Sequence, residues 1–552
     1  MKTAIEALLR QSLDALPDEL VPRAARMLDI EVQHTRDASR GDLASNLALR
    51  LARTAGAPPR TLADALVRAL PANDSVARVE VAGAGFLNFF LRQETYHAQI
   101  RRALAEGDAY GRSALGQGRR VHVEFVSANL TGPLHAGHGR HAAFGAAVAN
   151  LLEAAGFAVQ REYHVEDTGP QREILALSTW LRYLQLCGEA VRFPARGCHG
   201  EHPIALARTL RAREGDALRF DAGEVFRDLP ANGDQDAYID ALVARARSLL
   251  GEPCYRRVRE LALTGILDDI RADLQEFGVV FDCWVSGRSL TEDGAVDMAI
   301  EAPTARSLAY RQDGALWCQS TQSGEEQHRV LVHDNGVRTA VAADIGDLCN
   351  QDGAPTCLDV RLVQSVTLCG GGQKRPMPIR PAPTVTLRDL RGEVGNDAAR
   401  LFYVLRSNDQ HLDFDVALAK ARCNDNPLYD IQYAHARVAS VLKQLATRGV
   451  AHDREQGLNS LARLTQPQEA ALLKRIAAFP ALLTQCAQQR APHTLVRYLR
   501  DLAHEFHAYH GAHPLLVEEG AVRDARLVLA VAAQTVIRNG LKLLGVSAPA
   551  TM

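Results

Sequence analysis

Apolar positions recur at helical spacing in MKTAIEALLRQSLDAL, and again in GDLASNLALRLARTAG and TLADALVRAL, before the strand-like run VARVEVAGAGFLNFFL. This predicts helices followed by strand, a small α/β unit over residues 1–115. The Gly- and Arg-rich GRSALGQGRR then reads as a linker ending near Arg120. Next come a strand (VHVEFVSA), a loop, a long small-residue helix (GHGRHAAFGAAVANLLEAAG) and a second strand (FAVQREYHV). Strand, crossover helix, strand is the opening of a doubly wound nucleotide-binding sheet, with its ligand crevice at the C-terminal ends of the strands. This second unit is placed at 116–390. From about 172 to 265 the pattern is mainly helical and polar, which predicts an insertion, and mixed character returns with GVVFDCWVS. From Asp397 to Gly545 almost everything follows the helical period without a useful strand-like run, so 391–552 is predicted to be a separate helix bundle.

At 552 residues the chain has room for about three cores, since single cores stop growing at roughly 250–300 residues. Its 47% apolar and 23% charged content is that of a globular protein, not a fibre or a disordered tail. Lys+Arg number 63 against 65 Asp+Glu, so any surface for nucleic acid must be local. The ten cysteines show no C-x-x-C pair and no disulfide-like spacing, and read as reduced thiols of a cytoplasmic protein. The first helix carries charges throughout rather than a signal core. No uninterrupted apolar run approaches ~18 residues, so no membrane is expected.

The most informative stretch is VEFVSANLTGPLHAGHGRHAAFG, which sets His135, Ala136, Gly137 and His138 between a strand and a helix. Activating a carboxylate with ATP needs donors that meet the α-phosphate as charge builds there. Imidazoles at a helix N-terminus supply them, and Pro133, Gly137 and Gly139 offer the shape and close backbone approach that adenine requires. The segment closely resembles arginyl-tRNA synthetases, whose form of the class I H-I-G-H signature is His135–His138. The resemblance continues through EFVSAN, VEDTGPQ, FDCWVSGRSL and DGALWCQST, through the N-terminal RGDLASNLAL and VAGAGFLNFF, and through the C-terminal DAARLFYVLRS, NDNPLYDIQYAHARVASVL and NGLKLLGV. It implies a multidomain α/β plus α fold, with an N-terminal α/β domain, a Rossmann-type class I synthetase catalytic domain and a helical anticodon-binding bundle. It also implies ATP-dependent attachment of arginine to its tRNA by a monomer, with ATP as substrate and magnesium (Mg2+) bridging its phosphates. Under it, Glu124, Ser127, Asn129 and Asp344 face arginine, while His135 and His138 stabilise the pentavalent phosphate.

Other readings compete. An isolated H-x-x-H is more often a solvated loop pair, but the strand, glycines and helix around this one argue otherwise. No third ligand stands at zinc spacing. Gly137-x-Gly139-x-x-Ala142, with Glu162 downstream, satisfies the loose fingerprint of a dinucleotide-binding oxidoreductase. Against that, a loop of roughly ten residues separates Ser127 from the first glycine, where the fingerprint needs a tight turn. In the bundle, His435, Arg437, Lys443, Arg497 and Arg538 could meet RNA, although charged residues on an amphipathic helix are usually a solvated face. The Gly370–Gly372 run could cradle a phosphate or simply turn.

Two segments depart from the family pattern. Where many members carry K-M-S-K, this chain has Lys374-Arg375-Pro376-Met377-Pro378-Ile379-Arg380-Pro381, so Ile379 replaces the second lysine and three prolines stiffen the loop. Members without K-M-S-K carry a lysine at the position of Gly132. Here Lys374 and Arg380 are the remaining point charges. The tract between Asp347 and Leu362 is shortened to LCNQDGAPTCLDVR, without the family's histidines, and Ala340 stands where a tyrosine is expected beside Asp344. These departures leave a second reading open, a degenerate or repurposed paralogue that binds tRNA or nucleotide without normal aminoacylation.

Overall fold

The change of hydrophobic period near the N-terminus becomes three helices, Lys2–Asp14, Leu47–Ala55 and Pro59–Arg68, laid on a four-stranded antiparallel sheet. Its strands are β1 (Val32–His34), β2 (Leu43–Ser45), β3 (Val76–Ala82) and β4 (Phe86–Leu91), in the order β1-β2-β4-β3. Ile5, Leu9 and Leu13, one helical turn apart, meet Leu51, Leu62, Leu66, Leu87 and Phe89 in a core of their own. The computed structural model describes residues 1–35, 37–230, 234–292, 309–318, 329–332, 359–370, 373–375 and 385–552.

The central sheet is parallel, in the order β5 (Arg120–Glu124), β6 (Ala158–Val165), β7 (Cys283–Ser286). The helix Ala136–Ala154 crosses from β5 to β6. Its small residues let it be buried on nearly every side, with Ala142, Ala147 and Ala149 fully inaccessible. It packs against the helix Asn396–Tyr403 on one side and the bundle helices Pro467–Gln489 and Pro492–Ala512 on another.

The insertion comprises the helices Pro170–Leu186, Glu201–Glu214, Ala222–Val225 and the first half of Gln235–Glu276, a long helix interrupted at Gly251 (φ 68°). Trp180, Leu181, Leu184, Leu242 and Tyr255 form its separate core. The second half of the long helix returns to the main core through Ala262, Ile266, Ile270 and Leu274. An antiparallel sheet follows, ordered β10 (Arg329–Val332), β9 (Ala315–Cys318), β8 (Ala309–Gln312).

The last sheet, β12 (Gln373–Arg375), β11 (Val366–Gly370), β13 (Leu412–Asp415), places one short strand after Asp397, where the sequence showed no useful strand-like run. β13 runs parallel to β11, with Leu412 and Phe414 buried and the alternate residues exposed. Four alternating residues among helices are too few to reveal a period of two. It is the partner strand that makes them a strand. The bundle helices Pro427–Thr447, Pro467–Gln489, Pro492–Ala512 and Gly520–Leu543 share one continuous apolar core with the central sheet. Pro467–Gln489 is long and apolar enough to cross a membrane by length and composition, yet Leu472, Leu473, Ile476 and Phe479 are buried within that core.

Candidate active site

The loop leaving β5 holds two successive non-glycine residues at positive φ. Val126 sits at φ 73° and Ser127 at φ 37°, and the Ser127 amide donates to the Phe125 carbonyl at 3.1 Å. A β-branched residue in the left-handed region costs on the order of 1–3 kcal/mol and persists only where its surroundings over-determine it. Here they do. The Ser127 hydroxyl donates to Glu124 Oε1 at 2.8 Å and accepts from the His164 amide at 3.1 Å. Tyr163, buried on β6 and stacked on Trp284 with ring centroids 4.3 Å apart, takes hold of Ala128. Its hydroxyl accepts from the Ala128 amide at 3.0 Å and donates to the Ala128 carbonyl at 3.3 Å. Burial pushes the Tyr163 pKa up, so the phenol keeps its proton. Glu124 and Asn129 are exposed on this loop, and Pro133 is half-buried in it.

The two histidines of the signature cap the crossover helix reciprocally. His135 is the N-cap of Ala136–Ala154, and its Nδ1 accepts from the His138 amide at 3.3 Å, while His138 Nδ1 accepts from the His135 amide at 3.3 Å. The rings stack with centroids 3.5 Å apart and an interplanar angle of 20°. Burial lowers both pKa values, that of His138 to about 3, with His135 and His141 adding to the effect. The pair is therefore neutral at physiological pH. Acceptance at Nδ1 puts each ring's proton on Nε2, so two N–H donors stand at a helix N-terminus. Gly137 lies half-exposed in the first turn between them.

Gly139 has a different reason from the one the sequence suggested. A Cβ there would lie 2.7 Å from both Leu387 Cδ1 and the Tyr403 hydroxyl, so the space is taken up by protein, not kept for a nucleotide. That hydroxyl, fully buried, donates to the Ala136 carbonyl at 2.5 Å. One residue further on, Arg140 is buried and donates to the carbonyls of Gln364 (2.7 Å), Gln410 (2.8 Å) and Ser407 (2.8 Å), tying this helix to the starts of β11 and β13.

Lys374 pairs with Cys369 across β11 and β12. Arg380, Ile379, Asp344, Ala340 and most of the shortened tract lie outside the described residues, as do Gly371 and Gly372. The structure pairs Ser127 with Glu124 at the end of β5, and His135 with His138 at the start of the helix that follows. Sequence reasoning missed Tyr163, Thr386, Tyr403 and His202, which grip the loop between. Tyr163 could have been read as the aromatic of a buried strand and Thr386 as the N-cap of a T-x-x-D box, whereas Tyr403 and His202 carry no local signal. The oxidoreductase alternative loses its ribose acid. Glu162 is buried in mid-strand, 3.3 Å from His122 Nε2, and Cys283 Sγ donates to it at 3.1 Å.

Three family models match the chain: "Arginyl tRNA synthetase N terminal domain" over residues 3–91, "tRNA synthetases class I (R), catalytic domain" over 99–185, and "DALR anticodon binding domain" over 431–552. An arginine–tRNA ligase of Thioalkalivibrio sulfidiphilus is 47% identical over 586 residues, covering all of both chains. Another, of Halorhodospira halophila, is 45% identical over 584 residues with the same full coverage. The first alignment, at 586 positions, exceeds the 552 residues of this chain by 34, so that relative has residues with no counterpart here. Among solved structures, the arginyl-tRNA synthetase of Thermus thermophilus shares the fold at a TM-score of 0.69 and 22% identity, covering 100% of each chain. That of Plasmodium falciparum does so at 0.66 and 14%, covering 100% of this chain and 99% of its own. With full-length relatives at this identity, and a strained loop delivering two capped histidines to the end of a parallel sheet, the chain belongs to the arginyl-tRNA synthetase family, in class I of the aminoacyl-tRNA synthetases.

Proposed function

We propose that the protein joins arginine to its tRNA in two steps. An oxygen of the arginine carboxylate attacks the α-phosphorus of ATP, the bond to the β-phosphate oxygen breaks, and pyrophosphate leaves. A ribose hydroxyl of the terminal adenosine of tRNA then attacks the activated carbonyl, and AMP departs. The observation that carries this reading is the reciprocal cap of His135 and His138, which directs two neutral N–H donors and a helix N-terminus to one place. Donors held in position in this way meet charge that develops on the phosphate without reorganising. Glu124, with its carboxylate oriented by Ser127, is the acid offered to the arginine side chain, beside Asn129 and Asp344. Lys374 and Arg380 supply the charge left for pyrophosphate. Among the described residues no three ligating side chains gather into a metal cage. A magnesium ion held through the ATP phosphates and water fits such a site.

The tRNA would lie along the bundle. Tyr429 stacks on Tyr433 (5.7 Å between centroids), Tyr433 stacks on His507 (5.5 Å), and the Arg437 guanidinium covers Tyr433 at 4.7 Å. Half-buried aromatics with a cation suit unpaired bases. Lys443 and Arg497 are exposed elsewhere on the same two helices, whereas Arg538 is already paired with Asp108 at 2.9 Å. The protein is taken to work as a monomer in the cytoplasm. Arginine-dependent pyrophosphate exchange in the presence of tRNA, followed by charging of that tRNA, tests the whole reading. Binding of tRNA with no exchange would overturn it in favour of the repurposed paralogue.

A further inference from the structure

The loop before the signature histidines is held at one end by Tyr163 and at the other by the segment 385–387. Its middle is held from outside the sheet. A Cβ on Gly132 would lie 3.1 Å from Cε1 and 3.4 Å from Nε2 of His202, so this imidazole rests on the Gly132 backbone. His202 belongs to the insertion, in the first turn of the helix Glu201–Glu214. Its Nε2 is buried, with no hydrogen-bond partner among the described residues. Burial lowers its pKa, opposed by the neighbouring Thr131 backbone and by the Asp269 carboxylate.

The placement of His202 is built, not incidental. Leu206, four residues on and so on the same face, fits a notch in the long helix, where a Cβ on Gly265 would lie 2.4 Å from Leu206 Cδ2. One turn beyond Gly265, Asp269 accepts from Arg388 Nη2 at 2.8 Å, and after another turn the fully buried Asp273 accepts from Arg388 Nε at 3.0 Å and Arg391 Nη2 at 3.3 Å. Arg388 and Arg391 lie on the helix Leu387–Val394, whose first residue also bonds the signature loop. A single stripe of the long helix, Gly265, Asp269 and Asp273, thus locates two of the three tethers of that loop.

We propose that His202 is a positioning residue of the ATP site: through its contact with Thr131 and Gly132, the insertion sets the height at which His135 and His138 meet the phosphates. This rests on the adenylate-forming reading above. It requires that loosening the insertion affect ATP and leave arginine alone, because Glu124 and Ser127 are held by β5 and β6 and not by the insertion.

The test uses the full-length protein and its His202→Ala, His202→Asn and Gly265→Ala variants, in arginine-dependent pyrophosphate exchange and in equilibrium ATP binding. Amide exchange of the peptide spanning Thr131–Leu134 is followed alongside. His202→Ala is expected to raise the KM and Kd for ATP about tenfold, the scale of one lost contact, with the KM for arginine unchanged and the loop amides exchanging faster. His202→Asn, which keeps a planar polar side chain to pack on Gly132, should recover most of the ATP affinity. Gly265→Ala, which touches neither loop nor ligand, should reproduce the ATP effect. General destabilisation would lower kcat and leave both KM values in place. Unchanged ATP parameters in folded His202→Ala, or a parallel rise in the KM for arginine, overturns the proposal. A wild type that binds ATP but exchanges no pyrophosphate counts against the reaction proposed above, and ATP affinity and loop exchange then still decide the role of His202.

Discussion

His135 and Thr386 face one another across an antiparallel bridge, and each is the N-cap of a helix. The Ala136 amide donates to the Val385 carbonyl at 3.0 Å and the Leu387 amide to the Leu134 carbonyl at 2.8 Å. Two helix N-termini are thereby clamped side by side, and two positive dipole ends face the same region. Thr386 also closes the segment that bears Ile379 and Arg380, so the chain fixes the far end of that segment to the first signature.

Gly139→Ala should destabilise the protein by about 1–3 kcal/mol through overpacking against Leu387 and the Tyr403 hydroxyl. Tyr403→Phe alone should cost about 0.5–1.5 kcal/mol through loss of the hydroxyl's hydrogen bond to the Ala136 carbonyl, which keeps its bond within the helix. In the double variant the penalties should fall short of additive, because removing the hydroxyl makes room for the new methyl. Urea unfolding of the four proteins checks this. Strict additivity would mean that the clash is relieved elsewhere.

The buried histidines predict an acid-side loss of stability. His138 titrates near its ordinary value of 6.5 when unfolded and at about 3 when folded, so below pH 6.5 the unfolded chain binds the proton that the folded chain refuses. The stability this gives is complete above pH 6.5 and is lost progressively as pH falls towards 3, at up to about 1.4 kcal/mol per pH unit. His135, His141 and His202 are shifted in the same direction. In thermal melts from pH 7.5 to 5, His138→Gln should flatten the profile. An unaltered slope would show that the ring is neutral for no structural reason.

Arginine activation should be slow, by ~10²–10⁴-fold against an intact relative, because neither Ile379 nor Gly132 offers a lysine to the departing pyrophosphate. The two repairs should not be equivalent. Ile379→Lys should raise the exchange rate, whereas a lysine at 132 would run into His202 and should help only when combined with His202→Ala. Exchange rates for the three variants decide. A wild-type rate equal to that of a full-length relative would refute the damage.

Layer order and the signature loop were legible because they are local: a strand, a glycine-bearing turn and a small-residue helix follow one another within residues 120–154. What grips the loop was not legible, because each grip comes from far along the chain: His202, Thr386 and Tyr403 meet residues 132–139 only after folding. Gly139 shows the limit most clearly. It reads as making room for a nucleotide, whereas the neighbours packed against it are a leucine and a tyrosine more than two hundred residues away. β13 escaped notice for a related cause, since its pairing with β11 is tertiary.

On the bundle, Tyr433→Ala should weaken tRNA binding by roughly 1–3 kcal/mol, the value of one lost base stack. Lys443→Ala should have a smaller effect that vanishes as salt rises, as expected of a phosphate contact. Filter binding of the full-length variants at two salt concentrations separates them. Equal, salt-sensitive losses for both would reduce the aromatic ladder to a packing feature.

The continuous core shared by the central sheet and the bundle has a consequence for synthesis. Asn150, on the crossover helix, bonds the Leu543 carbonyl at 2.9 Å, and Asn539 bonds the Gly107 carbonyl at 2.8 Å. The crossover helix therefore cannot complete its packing until the last helix has left the ribosome, some tens of seconds after its own residues at about 5–20 residues per second. Over that interval its alanine-rich surface stands uncovered beside an N-terminal domain that already has its own core. Nascent chains stalled before Gly520 should bind chaperones at 136–154, and release from the ribosome should free them.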